Sequence, residues 1–568
     1  PGEAFYANLA EHLEESTLAR LAADLLESIE EDRVSRQQWE ESCKKGLKYL
    51  GFTLEEAKNV PFMSACRAFD TTLATTLLHF YGTARAELFP AEGPVNTQVT
   101  GEPTPALEEQ SERTKAWLNH YLTEFDREYY PDSEQMLMYI GLMGCGFRKV
   151  YQDPVLKRPV ARFIQPDDFI VNNDCVSILS SDRLTHVLHL SKKDILLRQR
   201  SGVYRDKPLP FLLDNEQQNS GTRQAVQRIE GIKTTQNEQK KSLFPIYEVH
   251  CTLDLAQHGE QDPEKDSLPL PYIIDLCPTS RTILSIRRNW EENDPEYKKK
   301  NCFVHYRYLP GFGLYGFGLA HLLGSNAVVL TSLLRQLVDK GTLSNFPGGL
   351  RVKGLQLDEN NKAVGPSEFL EIETGGLPIR DAIMPMPYAE PSAVLREIRN
   401  DLVQQTQNLA AMAETQVSEN KADVPVGTIL ALLEVSNRVQ SSVLRSLHMS
   451  LSYEFSLLYD LFGKYLTNDP YNFRVPGKEY SIQQHDFSDR LKVVPVSDPT
   501  LTTSTQRLMR AQAELQLAQS APQFYNLKNV HRRLCQAMHV ENIDEIMPPD
   551  AEALALDPAT EDMNLLEG

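Results

Sequence analysis

The chain has 568 residues, of which 41 % are apolar and 24 % charged, and this composition is typical of a globular protein of roughly three or four domains. A formal net charge of −20 argues against a protein that coats nucleic acid with a basic surface, but it does not exclude one that handles DNA without gripping it. The eight cysteines form no C-x-x-C pair, so the sequence gives no support to a zinc ribbon or a thioredoxin-like site, and we expect reduced structural thiols.

Residues 1–145 are predicted to be mainly helical, because their leucines recur at intervals of three to five residues with charged positions between them. A Pro/Gly-rich break is predicted at 90–105. The first residues are acidic and amphipathic and do not match a secretion signal. The uncharged run at 311–334 is interrupted by polar side chains, so we expect no membrane span.

A β-rich region is predicted between Gly144 and Pro310, where short runs of β-branched and aromatic residues are bounded by Pro, Asp and Asn. The sequence Pro-Asp-Asp at 166–168 could be taken for a paired-carboxylate metal site, but we favour a turn between two strands. Residues 214–242 are polar and Gln-rich, and they are predicted to form a long loop or a partly disordered segment.

Three long helices are predicted after Pro310, and together with the β-rich region they give an α+β fold that is mainly helical. In chain order the segments are a helix at about 316–341, a Gly/Pro-rich mixed segment at 345–390, a helix at 391–414, a polar break at 415–427, a helix to about 466, strands near 480–495, helices near 502–520 and 526–539, and an acidic, disordered tail at 547–568.

The sequence Gly311-x-Gly313-x-x-Gly316 has the spacing of a dinucleotide-binding turn, and Asp339 would be its ribose-binding acid. The run at 302–309 argues against this interpretation, because it mixes polar with apolar residues where a parallel strand buried on both faces would be apolar throughout. A proline also separates this run from the glycines. We favour a hinge at Gly311, Gly313 and Gly316 that lets the chain turn from a sheet into a closely packed helix.

The helix at 391–414 has apolar residues spaced alternately by three and four positions, which is typical of a coiled coil. They are Leu395, Ile398, Leu402, Leu409 and Met412, with Gln405 at the remaining position. We expect this helix to pack against the helix at 316–341, because the segment between them cannot form a large core of its own.

Four stretches together resemble one family. They are YIGLMGCGFRKVYQDPVLKRPVARFIQPDDFIVNND, SDRLTHVLHLSKKDILLRQRSGVY, PGFGLYGFGLAHLLGSNAVVLTSLLRQLVDK and VENIDEIMPPD. Their order, over about residues 60–550, resembles the portal proteins of tailed bacteriophages, closest to those of short-tailed phages. The resemblance rests on this order, since no single motif is diagnostic.

The resemblance implies the fold and the parts of a portal protein. These parts would be a wing at 1–314, a first stem helix at 315–341, a clip at 342–390, a second stem helix at 391–414, a tunnel loop at 415–427, a wing helix with return strands at 428–500 and a crown at 501–546. The region after residue 540 is too brief for the helical barrel that some relatives carry, so we do not expect that feature.

The resemblance also implies an assembly. Portal proteins form dodecameric rings at the capsid vertex of the virion, around a channel for double-stranded DNA, and they are made in the cytoplasm of the bacterial host. The implied partners are the terminase large subunit, a head-completion or tail adaptor, and the major capsid and scaffolding proteins. No enzymatic activity, cofactor or metal is implied for the chain itself.

Candidate DNA-facing residues lie on the two stem helices and in the tunnel loop. They are Arg335, Lys340, Arg396 and Arg399 on the helices and Gln416, Ser418, Asn420, Lys421 and Asp423 in the loop, with Pro425 and Gly427 as its hinge. An acidic chain suits a conduit, because a basic lining would hold each phosphate and slow the DNA.

Candidate partner-docking residues in the clip are Arg351, Lys353, Lys362, Phe369 and Ile372. The alternating apolar residues of this segment predict strands, which could pair with strands of neighbouring copies.

Two alternative functions stay open. One is an NAD- or FAD-dependent oxidoreductase that uses the glycine turn, and the other is a head–tail structural protein without a DNA channel.

Overall fold

The fold is described from a computed structural model. It describes residues 5–52, 65–91, 93–102, 104–153, 156–208, 226, 229, 243–255, 269–345, 349–351, 383–385, 392–409, 438–466, 469–475, 478–488, 490–496, 511–512, 514–519 and 526–538. Of these residues, 52 % are helical and 22 % lie in strands. The prediction of an α+β chain that is mainly helical is confirmed at this level.

Most helices of the described ranges come before or after the strands of the two main sheets in the sequence, and one, Lys192–Arg200, lies between two of those strands. They are α1 Glu15–Ser35, α2 Gln37–Tyr49, α3 Thr72–Leu88, α4 Pro105–His120, α5 Tyr129–Met143, α6 Lys192–Arg200, α7 Leu319–Asn345, α8 Ala393–Leu409, α9 Arg438–Tyr465 and α10 Leu527–Ala537. At the beginning of α4 the Thr104 hydroxyl accepts from the Leu107 N–H, and at the beginning of α6 the Ser191 hydroxyl accepts from the Asp194 N–H.

The strands of the described ranges are β1 Val95–Val99, β2 Cys145–Asp153, β3 Arg158–Ile164, β4 Phe169–Ile170, β5 Arg183–Ser191, β6 Leu243–Leu253, β7 Leu270–Cys277, β8 Thr282–Arg288, β9 Phe303–Arg307, β10 Gly349–Arg351, β11 Ile383–Pro385, β12 Tyr471–Val475, β13 Lys478–Ile482 and β14 Leu491–Pro495. The predicted change from helices to strands near Gly144 is confirmed by the end of α5 and the start of β2.

Two antiparallel sheets form the middle of the molecule. One has five strands in the order β4-β5-β6-β7-β8, and the other has three in the order β3-β2-β9. In the smaller sheet Cys145 lies opposite Arg307 and Lys149 opposite Phe303. Three two-stranded ladders, β1-β14, β10-β11 and β12-β13, complete the pairing among the described strands.

The break predicted at 90–105 is observed, because α3 ends at Leu88 and α4 begins at Pro105, but it contains the strand β1, which was not predicted. The strand pairs with β14, with Val95 opposite Pro495 and Val99 opposite Leu491. Local propensity could not reveal this pairing, because the partner strand lies almost 400 residues away along the chain.

Two main cores hold the elements together. The larger one joins α2, α3, α5 and the three-stranded sheet to α7 and α9, with Leu137, Phe147, Leu323 and Phe455 among its buried side chains. The second core packs α1 against the five-stranded sheet. The apolar spacing of the N-terminal leucines is therefore used to cover a sheet.

The three predicted long helices are observed as α7, α8 and α9. The helix α7 begins at Leu319, three residues later than predicted, and it continues to Asn345. It packs against α8 as expected, and the Asn326 amide donates to the Thr406 hydroxyl at 3.0 Å. Residues 410–437, which include the predicted tunnel loop, lie outside the described residues.

Candidate functional site

The glycine turn connects β9 to α7 through a tightly packed backbone. A Cβ atom built on Gly311 would lie 2.1 Å from the Tyr315 carbonyl oxygen, and one on Gly313 would lie 2.2 Å from the Asn173 carbonyl oxygen. At Gly316 the same atom would lie 2.4 Å from the Gly144 carbonyl oxygen. The glycines are therefore required because main-chain atoms approach closely, which agrees with the predicted packing role.

The same geometry does not match a dinucleotide site. The strand before the glycines, β9, is antiparallel to β2, whereas the dinucleotide fold needs a parallel βαβ unit, and none occurs among the described strands. The helix that follows starts at Leu319, beyond the glycines. The candidate acid Asp339 accepts the Cys66 N–H at 2.6 Å. The oxidoreductase interpretation therefore loses the structural context on which it depended.

Side chains of α2 and of the residue before it hydrogen-bond to the glycine turn. The Trp39 indole N–H donates to the Gly316 carbonyl at 2.9 Å. The Tyr315 hydroxyl accepts from the Arg36 Nη1 at 3.1 Å and from the Val171 N–H at 3.1 Å. Burial raises the pKa of Tyr315, so this hydroxyl stays protonated at neutral pH.

The buried guanidinium of Arg36 also organises the Pro-Asp-Asp sequence. Its Nη1 donates to the carbonyl oxygens of Pro166, at 2.8 Å, and Phe169, at 2.7 Å. Pro166–Asp168 forms a short 3-10 turn between β3 and β4, so the predicted turn is confirmed. The Asp168 carboxylate is 2.9 Å from Nε2 of His189. Among the described residues, no group of three or more His, Cys, Asp and Glu side chains is placed to hold a metal ion.

Two of the four candidate cations on the long helices contact the chain just before α3. The Arg399 guanidinium on α8 lies 2.9 Å from the buried Asp70 carboxylate. The Arg335 guanidinium on α7 donates to the Ala68 carbonyl at 2.9 Å and lies over the Phe69 ring, 4.7 Å from its centroid. These contacts give both side chains an intramolecular role, and their contact with DNA stays a prediction.

The other two candidate cations differ in their exposure to solvent. Arg396 is exposed on α8 and Lys340 is half-buried near the end of α7. Because a side chain that contacts DNA must reach solvent in the free protein, Arg396 fits a DNA-facing role better than Arg399 does.

The helix α8 leaves part of its apolar surface uncovered, while Leu395 and Leu402 are half-buried. Among its side chains that the structure describes, Thr406 is the buried one, whereas Val394 is 61 % exposed and Ile398 is 47 % exposed. The neighbouring helix α7 also exposes Val329 and Val338. An amphipathic helix of this length ordinarily buries such a face, so α8 lacks part of the partner that its sequence pattern predicts.

The remaining candidate residues lie mainly outside the described part of the chain. This applies to Gln416, Ser418, Asn420, Lys421, Asp423, Pro425 and Gly427 of the predicted tunnel loop and to Lys353, Lys362, Phe369 and Ile372 of the predicted clip. The backbone of Arg351 lies in β10, opposite Ile383 of β11. The strand pair observed in this segment is thus formed within one chain, and pairing between copies stays a prediction.

A buried charged network that the sequence did not reveal joins α5, β2, β9 and α9. The Arg148 guanidinium donates to both oxygens of Glu454, at 2.9 and 3.1 Å, and to the Ser133 hydroxyl at 2.8 Å. The hydroxyls of Tyr129 and Tyr306 also donate to Glu454. Arg148 and Glu454 are both fully buried, so each would be a costly unpaired charge if the other were removed.

A second buried cluster lies where the two sheets meet. On the opposite face of β2 from Arg148, the Lys149 ammonium lies 2.5 Å from Oε1 of Glu248, and Nε2 of His250 lies 2.8 Å from the same oxygen. Burial alone would lower the pKa of Lys149, but the Glu248 carboxylate raises it, so the lysine stays charged. Burial lowers the pKa of His250 and lowers that of neighbouring His186 to about 3.

Two comparisons of the sequence with known proteins were negative. The chain matches no protein-family model, and a search of curated proteins finds no match. Within the part of the chain that the structure describes, none of the helices combines the length and the apolar character that crossing a membrane requires.

Proposed function

We propose that this chain is a portal protein, the ring-forming subunit at a capsid vertex through which double-stranded DNA enters and leaves a phage head. The observation that carries the proposal is the pair of long helices α7 and α8, which pack against each other and leave apolar side chains of both in solvent. Val394 and Ile398 on α8 and Val329 and Val338 on α7 are the exposed positions. A closed ring of identical copies would cover such faces.

The remaining parts of the proposal follow the order of segments along the chain. Residues 342–390 would be the clip that docks terminase and the tail adaptor, and 415–427 would be the tunnel loop that contacts DNA. The net charge of −20 supports a channel that lets DNA pass, because a basic lining would neutralise the phosphates and hold the DNA in place. Twelve copies and a virion location are adopted from the resemblance to phage portals.

Electron microscopy of the purified full chain tests the proposal. We expect hollow rings with a central channel wide enough for a DNA duplex. A homogeneous compact monomer, or an assembly without a central hole, would contradict the proposal and would favour a head–tail protein without a channel.

A matched pair of variants connects the rings to the uncovered helix face. The double variant Val394→Asp/Ile398→Asp places two charges on the apolar face of α8, and we expect it to reduce ring formation strongly. Val176→Asp is the control, because Val176 is 84 % exposed and belongs to the loop after β4, not to either long helix. Equal ring yields from the two variants would show that the α8 face is not part of the assembly.

A further inference from the structure

Two helices cover opposite faces of the five-stranded sheet. Val187 of β5 and Tyr247 of β6 belong to the core that contains the inner side of α1. The adjacent residues Leu188 and Ile246 pack in a separate core with Ile195 of α6. Because successive side chains of a strand point to opposite faces, α1 and α6 lie on the two sides of one sheet.

The outer side of α6 is basic and apolar. Its exposed residues, which we call the α6 surface, are Lys192, Lys193, Leu196, Leu197 and Arg200. Lys193, Leu197 and Arg200 follow at steps of four and three positions, so they form one stripe along the helix. The acid of this helix, Asp194, accepts from the Ser191 hydroxyl at 2.6 Å in the N-terminal cap. This surface therefore suits a partner that is acidic and partly apolar.

The outer side of α1 has the complementary character. Its exposed residues, which we call the α1 surface, are Ala23, Asp24, Glu27, Glu31 and Val34. Asp24, Glu27 and Glu31 follow at steps of three and four positions and form one acidic stripe. Of the two arginines of this helix, Arg20 lies one turn before the stripe, and Arg33 donates to a hydroxyl of β6.

The two stripes also agree in length. Lys193 and Arg200 are seven residues apart on α6, and Asp24 and Glu31 are seven residues apart on α1, so each pair of charges spans about 10.5 Å along its helix. Two such helices laid side by side bring both ends of one stripe to opposite charges of the other. The exposed leucines of α6 and Val34 of α1 add apolar contact, which exposed ion pairs alone do not supply.

We propose that the α6 surface of one copy of the chain docks on the α1 surface of the next copy. This docking rests on the proposed function, in which identical copies form a ring. The two surfaces differ and lie on opposite sides of one sheet, so each copy uses one of them towards each neighbour. A head-to-tail contact of this kind repeats from copy to copy, and it closes into a ring when the rotation per copy allows.

Charge reversal of the full chain tests the docking. Lys192→Glu/Lys193→Glu and Glu27→Lys/Glu31→Lys should each lower the yield of rings several-fold at low ionic strength, as measured by electron microscopy and size-exclusion chromatography. The combined variant with all four substitutions should restore most of the yield, because the charges are again complementary. Damage to the fold would instead accumulate in the combined variant, and thermal unfolding midpoints of all variants check for it.

The matched control is Lys45→Glu/Lys115→Glu, which makes the same change of charge at exposed positions of α2 and α4 and should leave the yield unchanged. Unchanged yields in both test variants, or a combined variant that assembles no better than either, would overturn the docking and leave the proposed function in place. A compact monomer of the unmodified chain would overturn both. An assembly without a central hole that still follows the charge pattern would contradict the proposed function alone.

Discussion

Glu454 is the carboxylate that neutralises Arg148 in the centre of the molecule. Replacing it with alanine leaves a fully buried guanidinium with Asp132, 3.2 Å away, as its remaining acidic partner. Removing one member of a buried ion pair costs about 3–5 kcal/mol. We therefore expect Glu454→Ala to lower the thermal unfolding midpoint strongly, as measured by calorimetry.

The matched control for this prediction is an exposed ion pair. Glu479 is 71 % exposed at the side chain and pairs with the equally exposed Arg474, so Glu479→Ala should change the midpoint little. If both variants unfold at the same temperature, the buried network does not stabilise the fold in the way we infer.

Buried histidines predict a loss of stability in mild acid. Burial lowers the pKa of His186 and of His305 to about 3, below the ordinary value of about 6.5 for an unfolded chain. Between these two pKa values the unfolded chain binds more protons than the folded chain does. The free energy of unfolding is therefore highest above about pH 6.5 and decreases as the pH falls towards 3. On going from pH 7 to pH 5, protonation of each histidine in the unfolded chain should lower the free energy of unfolding by about 1–2 kcal/mol.

The variant His305→Phe isolates one of these groups. The His305 ring stacks on Phe147 at 4.6 Å, and its buried Nε2 has no hydrogen-bond partner among the described residues, so phenylalanine is a close replacement. Urea unfolding midpoints at pH 7 and pH 5 should differ less in this variant than in the unmodified protein. His485→Phe, at an exposed position, should preserve the full difference.

At the scale of elements, the glycine turn predicts opposite effects for two glycine-to-alanine changes. Gly316→Ala places a methyl group 2.4 and 2.6 Å from two backbone oxygens that cannot rotate away, and we expect a loss of about 1–3 kcal/mol. Gly324→Ala adds a methyl group within α7 where nothing apart from the helix's own backbone lies within 4 Å, and it should stabilise the helix by about 0.5–1 kcal/mol. Thermal unfolding of both variants measures these effects. Equal stability of Gly316→Ala and Gly324→Ala would contradict this account.

The long elements were predictable because their periodicity is local. The apolar spacing in α7, α8 and α9 and the β-branched runs of the two main sheets lie within single segments of the sequence. The strand Val95–Val99 was missed because its partner is distant, and the helical conformation of Val226 and of Ile229 was missed because two apolar residues in a polar stretch give no period.

The buried charges were missed for a different reason. Alternation along β2 places Arg148 and Lys149 on opposite faces, and in an ordinary half-exposed strand one of them would reach solvent. Here α5 and α9 cover one face and the five-stranded sheet covers the other, so both cations are buried and paired. The glycine turn was the opposite case, since the packing role inferred from sequence agrees with the observed close contacts.

At the scale of the whole molecule, the proposed portal function predicts that the segment 415–427 acts on DNA without contributing to ring assembly. Deleting residues 418–423 removes polar residues from the break between two long helices and leaves the exposed face of α8 unchanged. We expect the variant to form rings like the unmodified chain but to package or retain less DNA in an in vivo packaging assay. Normal packaging would show that this segment does not act on DNA.

The ladder between Val95–Val99 and Leu491–Pro495 also sets an order of events during synthesis. The first strand leaves the ribosome while its partner is still untranslated, so it must wait as an unpaired edge until nearly four hundred further residues have been added. The ladder therefore closes late, and a chain cut short before Leu491 would keep that edge open.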